Sequence, residues 1–410
     1  MTIERLFRGA ALIAPPLAVM APLGLAPGLA LFAVVLLASR PSLLWQSAIP
    51  LRPFAVLLAL LAVWGGASAL WSTIPGHSLL EAVRFLVISA EGLVVVAAAR
   101  ALPGKAQGRL AVAMLVGLAL GLAILAAEAY GGLPLHRALY VRSTSYAILD
   151  RGEIVISLLC WPAIIHLATR HRIAAAMLVW AVTLLALLPL ESLAAVIGLA
   201  ASAAAFLAAL FGPRLVAFAL GGGFAVLDFF LPLWRPGGDV VQRLQALAPW
   251  LRRSGLHRLA IWRFAGDRIA EHPWLGWGMD AARAMPGGNT AVKTYLGLPP
   301  NFPLDGVVMP LHPHDAILQL WMELGPAGVA IGSALLILLL HRAVIAVKGG
   351  LAAAGFLAII AAALPPLLLS FGVWQAWWQS SLWLTAAFAI ALSDRQPRRA
   401  GDHEFDDAAA

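Results

Sequence analysis

Apolar runs close to twenty residues long recur along almost the whole 410-residue chain, and that feature constrains the fold more than any other. At 1.5 Å of rise per residue, about 20 apolar residues in a helix cross the ~30 Å hydrocarbon layer of a bilayer. Runs bounded by charge, proline or glycine give twelve candidate spans, at 9–24, 27–39, 54–71, 81–99, 110–127, 153–168, 173–190, 192–211, 214–232, 314–340, 351–371 and 375–393. The chain therefore reads as an all-α polytopic membrane protein with about 12 transmembrane helices. A soluble globular protein is excluded: 61% of residues are hydrophobic and 12% charged, against roughly 45–50% and 25% in soluble domains. The first run follows Arg5 and Arg8 as a signal peptide would, but it continues into further apolar sequence and reads as an uncleaved first span.

Orientation follows from the short loops. With the N terminus in the cytoplasm, Arg5, Arg8, Arg40, Arg52, Arg100, Lys105, Arg109, Arg170, Arg172, Arg214, Arg342, Lys348, Arg395, Arg398 and Arg399 all fall inside, 15 of the 28 cations. The short outer connections 72–80, 191 and 372–374 carry no Lys or Arg. Both termini are thus placed in the cytoplasm. Residues 1–232 hold nine spans and a basic outer loop, 128–152; residues 233–312 form a large outer loop; 313–393 hold the last three spans; and 394–410 form a charged tail read as disordered. Cys160 is the only cysteine, so neither an internal disulfide nor a cysteine-based metal site can form. The net charge of +8 reflects loop topology rather than a nucleic-acid surface, because the basic residues lie outside or in loops too short to form a module.

In 233–312 eight arginines and Lys293 face five acids, Asp239, Asp267, Glu271, Asp280 and Asp305. A basic outer surface suits an anionic ligand, although most of these arginines read equally as loop solvation or contact with lipid phosphates. Helical spacing over 239–253 and 257–271 predicts two short amphipathic helices on the membrane surface. The Gly/Pro-rich stretch 286–313 reads as an irregular lid.

Where this loop meets the tenth span stands His312-Pro-His314-Asp315, with Gly325-Pro326 about eleven residues on. Pro313 and Asp315 suit a helix start and Gly325-Pro326 a break, predicting a half-helix whose N terminus faces the outer water. At such an end the helix dipole favours a neutral His314 imidazole, as a general base requires, while Asp315 acts in the opposite direction. An interfacial polar histidine is the plainer alternative. A metal site is not expected, because His312 and His314 have no clustered ligands beside them in the sequence.

His314-Asp315, nine residues and then Gly325-x-x-Gly328 resemble the H-[NSQ]-x9-G-x-x-[GTY] signature of the lipopolysaccharide O-antigen ligase family, with only Asp315 departing from it. Arg258-x3-Trp262 followed by His272-Pro-Trp-Leu-Gly276-Trp-Gly278 is similar to a second segment of that family. The resemblance implies glycosyl transfer without a metal or other cofactor at the periplasmic face of the bacterial inner membrane. A glycan on undecaprenyl diphosphate would pass to a hydroxyl of lipid A-core, with inversion at the anomeric carbon. The O-antigen and exopolysaccharide polymerases of the same family would use a growing glycan as acceptor, and a transporter or flippase is the reading from another class.

The resemblance makes His314 the catalytic base and Arg258 the first catalytic arginine. Arg263, Arg151, Arg142 and His312 are expected to bind substrate, Arg263 as the second arginine of the loop helix and Arg151 from an arginine-bearing membrane-entry segment at Asp150-Arg151-Gly152. An ion pair of Arg151 with Asp150 or Glu153 is an equal alternative. Inside the spans, Arg84 and Glu91 are expected to satisfy each other or a neighbouring helix, Glu323 to pair with an arginine, and Asp228 to reach the outer interface. Tryptophans near the span ends, Trp374, Trp377 and Trp378 among them, read as an aromatic belt.

Overall fold

A computed structural model describes residues 2–39, 41–139, 145–249, 253–345 and 349–393. Arg142 lies outside the described residues, as does the tail 394–410. The architecture is all-helical apart from one isolated bridge between Ala291 and Val307. In chain order the helices are α1 (Ile3–Met20), α2 (Leu25–Ser39), α3 (Pro41–Ala48), α4 (Arg52–Ala67), α5 (Pro75–Ala101), α6 (Gln107–Gly131), α7 (Pro134–Leu139), α8 (Asp150–Thr169), α9 (Ile173–Leu187), α10 (Leu193–Phe211), α11 (Pro213–Phe230), α12 (Gly238–Leu247), α13 (Arg253–Glu271), α14 (Val292–Leu296), α15 (Ala316–Ile345), α16 (Gly350–Leu369) and α17 (Ala376–Leu392).

Each of the twelve apolar runs coincides with a helix, but among the described residues nine helical segments are long and apolar enough to cross a membrane. α1 falls short because Glu4, Arg5 and Arg8 sit in its first two turns, and α9 and α17 because they have 15 and 17 residues. Burial rather than hydropathy separates the spans. α8 is apolar all round and buried from Gly152 to Ala168, the pattern of a helix surrounded by others. It packs against α1, α6, α9, α10, α16 and α17, whereas α11 buries no residue. Small residues set the tightest crossings: a Cβ on Gly198 of α10 would lie 2.6 Å from the Ala362 carbonyl of α16.

Residues 233–312 form a packed unit rather than surface helices with a lid. The apolar face of α13 (Leu256, Leu259, Ala260, Phe264) is buried against Met285, Val292, Val308 and Met309, and against Leu318 and Met322 of α15. The stretch expected to be irregular is held by backbone bonds from Val292 N–H to Gly306 O (3.0 Å) and from Val308 N–H to Thr290 O (3.0 Å). The glycines and prolines there make turns between apolar residues that share one core, where composition alone reads an irregular lid.

Polar groups inside the spans also find partners other than those expected. Arg84 pairs with Glu81 one turn earlier, not with Glu91. Asp228 accepts hydrogen bonds from the Trp321 indole (3.2 Å) and the Ser333 hydroxyl (3.0 Å). Trp374, Trp377 and Trp378 are buried inside the bundle rather than spread along a belt.

Candidate active site

The His314 loop is set by its neighbours on α13 and by the end of α16. Trp262 donates its indole N–H to the Pro313 carbonyl (3.2 Å), so the tryptophan four residues after Arg258 holds the histidine loop from behind. His314 itself has φ of 58°, a left-handed conformation rare for a non-glycine residue and one that clusters at functional positions. Asp315 then caps α15, accepting from the Leu318 N–H (2.9 Å).

Hydrogen bonding fixes the tautomer of His314. Its Nδ1 lies 2.6 Å from the Ser370 carbonyl, which can only accept. The ring proton therefore sits on Nδ1, and Nε2 keeps its lone pair. Burial, together with the charge of Arg258, holds the ring's pKa down to about 4 despite the opposing Ser370 bond. The His312 ring, tilted by 54°, has its centroid 4.3 Å away; it accepts the His314 backbone N–H at Nδ1 (3.2 Å) and is held down to about 3, again mainly by burial. Both rings are thus neutral near pH 7. Burial pushes Asp315 the other way, up to about 7, helped by Asp228 and opposed by the Leu318 and Ile317 N–H groups.

Two of the expected cations, Arg258 and Arg151, gather here. Arg258 lies close enough for its charge to depress both imidazoles; burial lowers its own pKa, and Asp150 at the start of α8 opposes this. Arg151 sits over the Trp377 ring, 5.7 Å from its centroid, and Trp377 donates to Gln375, whose amide is 3.2 Å from His312 Nε2. Arg263 turns elsewhere: its guanidinium is 3.9 Å from Asp267 and over the Tyr295 ring. Arg283, not singled out in the sequence, is held by Asp280 (2.7 Å) and near enough to depress His312.

The two motif segments form one interlocked unit. Trp277 and Gly278 donate their N–H groups to the Met322 and Glu323 carbonyls (2.9 and 2.8 Å), threading the turn along the break in α15. Gly276 (φ 68°) and Gly325 (φ 62°) make this possible. A Cβ on Gly276 would be 2.5 Å from the Glu323 carbonyl, and one on Gly325 would collide with the Trp274 carbonyl. The carbonyl of Leu324, freed at the kink, accepts the Trp64 indole N–H (2.9 Å). Gly276→Ala or Gly325→Ala is expected to destabilise the fold by about 1–3 kcal/mol or more, read as a lower midpoint in thermal unfolding of the detergent-purified protein. An unchanged midpoint would show that this interlock contributes little.

Beside the histidine loop lies an apolar cavity of about 530 Å³, lined by Ile197, Leu227, Phe230, Trp262 and Leu368 among others, with Asp315 as its charged residue. One cluster among the described residues has donor atoms spaced for a metal: His77, Glu81 and Asp280. There the carboxylates already take Arg84 and Arg283, and His77 bonds Asp280 (2.7 Å), so the cluster reads as an ion-pair network joining α5 to the loop.

Residues 155–333 match the family model described as O-antigen ligase, a region that contains Arg258, His314, Gly325 and Gly328. Over these residues the chain is similar to the O-antigen ligase family. Curated relatives include a "Putative polysaccharide ligase" of Rickettsia conorii, 28% identical over 61% of this chain and 59% of the relative. Proteins of the same description match from Rickettsia felis, at 28% over 60% and 58%, and from Rickettsia bellii, at 27% over 79% and 77%. The chain thus spans under two thirds of the length of the first two relatives. The O-antigen ligase match joins the Arg258 helix and the His314 loop within one domain, as their hydrogen bonds do.

Ser370 and Gln375, like Arg283, are site residues that the sequence does not single out, and Trp374 reads there only as part of a belt. Ser370, Trp374 and Gln375 sit in the connection 370–375 between α16 and α17, at the ends of two apolar runs, where only polarity at a span end marks Ser370 and Gln375.

Proposed function

We propose that this O-antigen ligase relative transfers a glycan from undecaprenyl diphosphate to a hydroxyl of lipid A-core at the periplasmic face of the bacterial inner membrane. The observation that carries this reading is the Nδ1–H bond of His314 to Ser370, which leaves Nε2 unprotonated near the half-buried Arg258. The acceptor oxygen attacks the anomeric carbon as its proton passes to His314 Nε2, and the bond from that carbon to the diphosphate oxygen breaks. One displacement of this kind inverts the anomeric centre. Arg258, with Arg151, takes up the charge developing on the diphosphate; Arg283 and Arg142 are further candidates to hold it. No metal is called for in this step, because guanidinium groups neutralise the leaving group. The apolar cavity next to Asp315 offers the carrier's polyprenyl chain a place against α10, α11 and α16.

The first test is the surface lipopolysaccharide of the host after deletion of the gene, complemented by wild type or by His314→Ala. Core without attached repeat units, restored by wild type alone, is the expected result. Core carrying a single unit would assign a polymerase acting on a growing glycan, and an unchanged ladder would remove the proposal.

The pH dependence follows from the two shifted groups. His314 is neutral above about pH 4, so the rate is expected to hold on acidification until the pH approaches that value. Asp315 loses its proton as the pH rises through about 7, and then places a negative charge where the family pattern has a neutral Asn, Ser or Gln. The transfer rate should therefore decline above about pH 7, and Asp315→Asn should abolish that decline. A pH–rate profile of the purified enzyme checks both limbs; a wild-type decline that persists in Asp315→Asn would exclude the carboxyl as its source.

A further inference from the structure

The buried carboxylate of Glu323 gathers four N–H donors from three segments of the chain. It accepts from the Asp280 backbone (2.8 Å), the Ala282 backbone (3.4 Å), the Gln319 amide (3.1 Å) and the Trp374 indole (2.5 Å). Four donors match the acceptor capacity of the two oxygens. No arginine is among these partners, although pairing with one was the expectation from sequence. The Gln319 amide is shared: its oxygen accepts the Val373 N–H (2.9 Å) while its nitrogen serves Glu323. Both Trp374 and Val373 belong to the connection whose first residue, Ser370, accepts the His314 Nδ1–H, and whose Gln375 meets His312. On its other side Glu323 grips the backbone of Asp280, the residue that holds Arg283 near His312.

We infer that Glu323 is a positioning residue for His314: its hydrogen bonds to Trp374 and Gln319 fix the 370–375 connection, and with it the Ser370 carbonyl that keeps the histidine proton on Nδ1. This deepens the proposed function and rests on His314 being the base. Glu323 is nine residues beyond His314 on α15 and touches no part of the imidazole; it acts through the connection. Loosening that connection has two consequences. The Nδ1–H bond no longer selects one tautomer, which lowers the fraction of rings with a free Nε2. Water also reaches the ring and relieves the burial that chiefly depresses its pKa, in surroundings that include Arg258, His257, His312 and Asp315.

The test uses full-length protein in detergent or nanodiscs, with lipid-linked glycan extracted from host membranes as donor and the host's lipid A-core as acceptor. Glu323→Gln replaces one acceptor oxygen by a donor among four donors. Trp374→Phe deletes one N–H and keeps an aromatic ring against Phe85, which packs edge-on at 5.6 Å. Both variants are expected to lower kcat by roughly 10- to 100-fold, the scale for slight misplacement of a catalytic group. In both, the acid limb of the pH–rate profile should move up from about 4 toward the ordinary histidine value near 6.5.

Falling activity with an unmoved acid limb would reduce Glu323 to a structural role and overturn the inference. Wild-type kcat and pH profile in both variants, with His314→Ala inactive, would overturn it while sparing the base assignment. Activity in His314→Ala would instead remove the reading on which it rests. If Glu323→Gln does not accumulate as folded protein, Trp374→Phe decides alone.

Discussion

Replacing His314 with alanine is expected to lower glycan transfer by about 10²- to 10⁴-fold, the usual contribution of a positioned general base, while leaving membrane insertion and folding intact. The magnitude rests on three features acting together. The ring is neutral at working pH because burial and Arg258 hold its pKa to about 4, and its Nε2 is free because Nδ1–H is committed to Ser370. Its backbone is held at a φ of 58° by the surrounding loop. A weak base costs something in driving force, since the Brønsted relation favours a pKa near the operating pH. The nearby diphosphate, whose negative charge favours the imidazolium, acts to raise the value in the working complex. His314→Gln keeps a hydrogen-bonding group in place but accepts no proton at neutral pH, and is expected to be as inactive as alanine. Transfer to lipid A-core by purified protein, normalised to folded protein by size-exclusion elution, measures this; activity within threefold of wild type would remove His314 from the chemistry.

Arg258→Ala is expected to cost about 10²- to 10³-fold, roughly 2.7–4 kcal/mol, as for loss of a charge-stabilising donor in an enclosed site. Arg258 is half-buried on α13, balanced by Asp150, and its field reaches both imidazoles. The same substitution removes a positive charge from beside His314 and should make that ring more basic, so the acid limb should rise as the rate falls. Arg258→Lys keeps the charge without the planar fork and should recover part of the rate with a limb near the wild-type position. A limb that stays in place in Arg258→Ala would mean that the guanidinium does not act on His314. By contrast Arg263→Ala is expected to lower stability more than rate, because that guanidinium serves Asp267 and Tyr295 within the loop.

Much of the architecture was legible because the bilayer imposes a length on apolar runs. All twelve runs read from the sequence are helices, and the Gly325-Pro326 break stands where the backbone departs from helical geometry. Nine of the helical segments among the described residues are long and apolar enough to span, while α1 opens with three charges and α9 and α17 are shorter. The loop 233–312 was misread. A core assembled from Leu256, Phe264, Met285, Val308 and Met309 leaves no periodic trace in the segments that lack helix.

His314, Arg258 and the paired glycine motifs were readable because their spacing along the chain is itself the pattern: a helix start, a fixed interval and a break. What Arg263 does instead was not readable. Arg258 and Arg263 lie five residues apart on one helix, and only packing against Asp267 and Tyr295 turns Arg263 away. Nor could the sequence place Glu323 among four N–H donors or give Ser370 and Trp374 a part in the site, because three of those donors are 41 to 51 residues from Glu323, and Ser370 is 56 from His314. The sequence by itself determined a helical membrane protein, the position of its loop and the histidine at the loop's end, since those depend on local hydropathy and short-range spacing. The tautomer of that histidine and its low pKa were decided by tertiary structure alone, because each depends on burial and hydrogen bonds between segments that only folding brings together.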